Sequence, residues 1–150
     1  MSKISTAYGY LVTKMGTVIP SQVRMSNPYD LSSNVSRIME QAWGIAVGPA
    51  TNTQRELCPH FSTDRTFRMI LSRKFIALEN DPVSKSTAEK LLLEDHYALL
   101  NAFEADITLG ANIIKFIYQA DNGIEFVFSE KDPYLFISSD FNMEYIETVT

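Results

Sequence analysis

The sequence predicts an α+β fold, an antiparallel sheet of about 4–5 strands with helices packed on one face. Three observations lead there. Two segments repeat apolar residues at helical spacing. Several others alternate apolar and polar residues with period two. After one long helical segment, the second half is a meander of such alternating runs separated by turn residues. The length of 150 residues suits a single domain.

Residues 4–18 read as the first helix, because Ile4, Tyr8, Leu11, Val12, Met15 and Val18 or Ile19 fall on one stripe. Gly16 is the expected stop, and Pro20 forbids continuation. Residues 20–34 carry Pro20, Asn27-Pro28, Asp30 and Ser32-Ser33, a loop composition. Val35, Ile38, Met39 and Ala42 then predict a short second helix capped by Ser33 or Asn34. Trp43–Ala50 reads as a short strand ended by Gly48-Pro49, and residues 51–62 as a polar loop. Residues 65–78 form the clearest strand, with Phe67, Met69, Leu71, Phe75 and Ala77 on one face and Thr66, Arg68, Ser72 and Lys74 on the other.

Ser86-Thr87-Ala88-Glu89 fits a capping box ahead of a long helix bearing Leu92, Leu99 and Phe103. Beyond it Ile114, Phe116 and Tyr118 alternate. Asp121-Asn122-Gly123 is the strongest hairpin signal, since its turn needs a positive φ. Ile124, Phe126 and Phe128 alternate next, and Lys131-Asp132-Pro133 makes another turn. The final run from Leu135 to Val149 keeps nearly one parity. It would span roughly 50 Å, so a bend near Ser138–Asp140 or a projecting end is expected.

Composition narrows function. The 9 Phe, 7 Tyr and one Trp argue for a packed core rather than disorder. The lone cysteine, Cys58, excludes an intrachain disulfide framework and a multi-cysteine metal site. No window approaches the length of a membrane span, and the N-terminus lacks the pattern of a signal peptide. A net charge of -5 argues against a general nucleic-acid binder. That total conceals an asymmetry: residues 1–75 carry 9 basic and 4 acidic side chains, and residues 76–150 carry 4 and 14. Either folding interleaves the halves, or the molecule has a positive and a negative side suited to head-to-tail association.

No catalytic or cofactor motif emerges. Cys58-Pro59-His60 lacks zinc spacing. Glu94-Asp95-His96 splay around a helix and do not converge on one atom. Gly44-x-x-x-Gly48 has neither the Lys-Ser/Thr of a phosphate loop nor the apolar surround of a membrane dimer motif. Two groups are left as interaction candidates. Arg65, Arg68, Arg73 and Lys74 are the densest basic group, readable as a solubilising face with edge protection or as a contact for an acidic neighbouring subunit, and less readily for DNA. Tyr134 and Phe136 fall on the parity opposite the last strand's core and are expected to form an exposed patch. Phe116, Phe126, Phe128 and Phe141 are expected in the core.

Four stretches carry a family resemblance. They are Ile19-Pro20 through Asn27-Pro28-Tyr29 to Asn34, then Trp43-Gly44-Ile45-Ala46-Val47-Gly48-Pro49-Ala50, then Thr66-Phe67-Arg68-Met69-Ile70-Leu71-Ser72-Arg73, and the helix with Leu92, Leu93, Glu94 and Asp95 followed by the acidic meander. In this order they resemble the tail terminator (tail completion) proteins of long-tailed bacteriophages. The resemblance implies a small α+β protomer in a ring, typically six-fold, that caps the tail tube, stops its polymerisation and offers a surface to the head. Its implied partners are further copies of itself, the tail-tube protein and a head or neck connector, with no membrane and no sequence-specific nucleic acid. It implies no catalysis, no cofactor and no metal, and a place in the virion neck after assembly in the host cytoplasm. Alternatives are another neck or tail-tip component, a small cytosolic enzyme or ligand-binding domain using His60, His96 and Glu94, and an adaptor binding a host protein through Tyr134 and Phe136.

Overall fold

The computed structural model describes residues 2–20, 22–25, 27–29, 41–55, 60–74, 82–129 and 132–148. In chain order the elements are α1 (Lys3–Val18), β1 (Val23–Arg24), β2 (Gln41–Arg55), β3 (His60–Lys74), α2 (Pro82–Glu104), β4 (Lys115–Ser129) and β5 (Asp132–Thr148). The five strands form one sheet in the order β1-β2-β3-β5-β4. β1 runs parallel to β2 and every other neighbour is antiparallel. The α+β class is as predicted, with the parallel β1 making the sheet mixed.

α1 begins where Ser2 caps it, its hydroxyl accepting the Ser5 N–H at 3.2 Å. The Lys3 and Ile4 amides donate to the Glu147 carboxylate at 2.8 and 3.2 Å, which places an anion at the helix's positive end. The helix runs through Gly16 and ends at Ile19, just before Pro20. Its apolar stripe buries Ala7, Leu11 and Met15.

α2 starts at Pro82, where a missing N–H is harmless because the first turn has no intrahelical acceptors. Ser86 therefore lies inside the helix and is not its cap. The helix sends Ala88, Leu92, Leu99 and Phe103 into the same cluster as α1 and the sheet residues Trp43, Phe67, Leu71, Phe116, Ile137 and Phe141. Phe116 and Phe141 stack at 4.8 Å, with Phe103 edge-on to both at 5.2 and 5.5 Å. Fully burying each such ring stabilises by about 1.5–3 kcal/mol.

Several expectations change. β2 does not stop at Gly48-Pro49. The ladder with β3 shifts register between Val47 and Ala50 and continues to Arg55, so residues 51–55 and 60–62 are strand rather than loop. Ala42 belongs to β2, not to a helix, and the remainder of the proposed second helix, 35–40, lies outside the described residues, as do Phe75 and Ala77. Asp121-Asn122-Gly123 is no hairpin either. β4 passes straight through it, with a register shift between Asp121 and Ile124, and the chain reverses between Ser129 and Asp132. β5 stays paired to β3 from Tyr134 to Thr148 with no shift, so no bend at Ser138–Asp140 interrupts that ladder. It is an interior strand between β3 and β4, and the sheet's lateral edges belong to β1–β2 and β4.

Candidate functional site

The β1–β2 edge is assembled from short-range chemistry. The Asn27 side chain accepts the Tyr29 N–H at 3.1 Å, a turn that brings Tyr29 back over β2. Gly44 permits this approach, because a Cβ there would lie 2.9 Å from Pro28 Cβ. The Met25 N–H donates to the Trp43 carbonyl at 2.7 Å, and the Val47 N–H donates to the Tyr29 hydroxyl at 3.1 Å. Arg24 donates to the Tyr8 hydroxyl at 2.7 Å, and its guanidinium lies 6.0 Å from the Tyr8 ring and 5.7 Å from the Trp43 ring. Tyr8, Arg24, Met25, Pro28, Tyr29 and Ile45 enclose a groove of about 490 Å³.

The opposite edge is β4. The Phe116 N–H donates to the Ile107 carbonyl at 2.6 Å, closing the start of the strand's outer side. Further along, Gly123 adopts φ +73°, a conformation that favours glycine, and its N–H donates to Asp121 Oδ1 at 2.8 Å. Tyr118 donates to Asp121 Oδ2 at 2.5 Å. This hydrogen bond is the main reason the Tyr118 hydroxyl is pushed up to about 12 and the Asp121 carboxyl is held down.

The two edges concentrate exposed apolar side chains. Of the ten large ones among the described residues, Val23 and Tyr29 lie at the β1–β2 edge, and Ile107, Ile114, Ile117 and Phe126 lie on or beside β4. Phe126, expected in the core, is 54% exposed. It sits on an edge strand with Leu135 as its only ladder partner, so one flank has no strand to cover it.

His96 has a different environment. Its Nε2 lies 2.5 Å from Ser139 Oγ, and its ring meets Tyr118 edge-on at 6.0 Å. Burial depresses the His96 pKa, opposed by the nearby Asp121 charge. The pair resembles a nucleophile and its base, but Ser139 is 1% exposed, and Asp121 is committed to Tyr118 and Gly123. The geometry therefore suits a satisfied polar contact beneath α2. His60 is remote, at the start of β3, with Nδ1 3.0 Å from Thr148 Oγ1. Nine strand positions separate it from Met69, the partner of Ser139, or roughly 30 Å. No group of three or more His, Cys, Asp or Glu among the described residues could hold a metal ion. Cys58 lies outside those residues.

The basic group is not one surface. Arg65 donates to the Tyr145 hydroxyl at 3.2 Å and the Gly48 carbonyl at 2.9 Å. Arg68 pairs with Asp140 at 3.0 Å, on the sheet face away from the helices. Arg73 pairs with Asp95 at 2.8 Å and is largely buried. Lys74 is half-buried at the end of β3, opposite Tyr134 in the ladder. Tyr134 and Phe136 are not an exposed patch. They are 6% and 9% exposed, and Phe136 joins Met25, Ala42 and Ile70 in a second apolar cluster. Period-two parity places a residue on a face; it does not say whether that face is covered.

Sequence reasoning missed Arg24, Tyr29 and Glu125 as edge residues. The only available signal was Asn27-Pro28, a turn next to an isolated basic residue. No family model matches this chain, and no curated protein matches it.

Proposed function

We propose that this chain is a structural virion protein that forms a ring on the tail tube of a long-tailed bacteriophage, stops tube polymerisation and provides the head-joining surface. One observation carries the assembly part of the reading: exposed apolar residues gather at the two opposite, non-identical edges of a single sheet. A ring requires such a heterologous pair of surfaces. The resemblance along the four stretches supplies the rest, including a typically six-fold ring, the tube protein and a neck connector as partners, and the neck of the virion as the site. No catalytic step, cofactor or membrane enters the reading.

Light scattering on the chain, alone and with tube protein, tests it. The expected result is a ring mass near six times 17.0 kDa in at least one condition. A monomer in both sinks the reading. Electron microscopy of particles made without the protein separates the roles, because overlong tails mark a terminator and normal tails without heads mark a neck component.

A further inference from the structure

We infer that the subunit interface seats the β4 edge of one copy, at Glu125 and Phe126, on the Arg24 groove at the β1–β2 edge of the next. This rests on the ring reading above and names the surfaces that would form it.

Arg24 is an oriented cation without a counter-charge. Its guanidinium is fixed by the Tyr8 hydroxyl and lies against two aromatic rings, yet no carboxylate among the described residues pairs with it. The rest of the groove is Met25, Pro28, Tyr29 and Ile45 beside Tyr8. One cationic contact next to an apolar and aromatic lining suits a carboxylate adjacent to an aromatic ring. Glu125 and Phe126 supply that pair on the far edge. Glu125 is exposed with no ion pair among the described residues, and Phe126 is 54% exposed.

The edges differ in charge as well as position. β1 and β2 contain Arg24 and Arg55 and no acidic residue. β4 contains Asp121 and Glu125, and its Lys115 is already engaged by Glu144 at 3.2 Å. Because these edges flank opposite sides of one sheet, a rotation that brings one onto the other repeats head to tail and closes a ring.

Backbone geometry favours side-chain docking over simple strand addition. On β2 the outward Trp43 carbonyl and Val47 N–H are taken by Met25 and Tyr29. On β4 the Phe116 N–H is taken by Ile107, and the bulge at Asp121–Gly123 breaks the edge.

Charge reversal tests the pairing under whichever condition assembles the wild type. Arg24→Glu and Glu125→Lys should each weaken association about tenfold or more, and the chain carrying both should regain much of it. Thermal melts report whether each variant is folded. Should Arg24→Glu fail to fold, Arg24→Gln replaces it and is expected to weaken association and flatten its salt dependence. Single reversals that associate like the wild type overturn this interface and leave the ring reading intact. A double variant as weak as the singles overturns the Arg24–Glu125 pairing. A wild type that stays monomeric even with tube protein overturns the ring reading and this interface with it.

Discussion

His96 illustrates how tertiary burial decides the behaviour of a single residue. It lies on a helix beside Glu94 and Asp95, where sequence suggests a solvated face, yet it points under α2 to Ser139. Its lowered pKa has a definite sign in stability. At pH above the ordinary value of 6.5, folded and unfolded states are both neutral there. As pH falls below that value the unfolded chain takes up a proton that the fold resists, so stability declines until the folded group titrates as well. His96→Gln should reduce the fall in the urea midpoint between pH 7 and pH 5, an effect limited to about 1.4 kcal/mol per pH unit. An unchanged slope would exclude His96 as its source. Asp106 acts lower on the scale. Burial pushes its carboxyl upward, but hydrogen bonds from Lys14, Tyr10 and the Gly110 amide overcome this and hold it at about 2. Its contribution is therefore present above the ordinary carboxylate value and fades as pH falls toward 2.

At the scale of elements, local signals named residue types correctly and misplaced their roles. Asp121-Asn122-Gly123 has the positive φ that a turn demands, but the chain uses it to bulge an edge strand. A hairpin and a bulge both need that backbone conformation, and only pairing with β5 distinguishes them. Ser86 is a parallel case, since Ser-x-x-Glu matches a cap but the helix already runs from Pro82. Ser86→Ala should thus be neutral or stabilise by up to about 0.5 kcal/mol, the helix-propensity difference. A capping serine would instead cost about 1 kcal/mol on removal. Chemical denaturation of the two proteins distinguishes these outcomes by sign.

For the whole molecule, folding largely interleaves the opposite charges of the two halves. Lys14 meets Asp106, Arg68 meets Asp140 and Arg73 meets Asp95, each pair joining the basic half to the acidic one. The basic group at 65–74 is therefore spent mostly on internal contacts, and the polarity relevant to assembly shrinks to the two sheet edges. Raising salt from about 0.05 M to about 0.5 M should weaken subunit association, because exposed charges at an edge are screened over a few ångströms. The largely buried Arg73–Asp95 pair is screened less, so the melting temperature should move little. Association that is indifferent to salt in sedimentation measurements would remove electrostatics from the edge contact.

The α+β class, the stripe on α1, the core residues of α2 and the buried face of β3 were all legible in the sequence, because each follows from a repeat of 3.6 or two that any packed partner would satisfy. Tertiary structure alone decided strand order, the burial of Tyr134 and Phe136, the exposure of Phe126 and the isolation of Arg24. Periodicity describes one element at a time, whereas coverage and counter-charge depend on which distant element lies alongside.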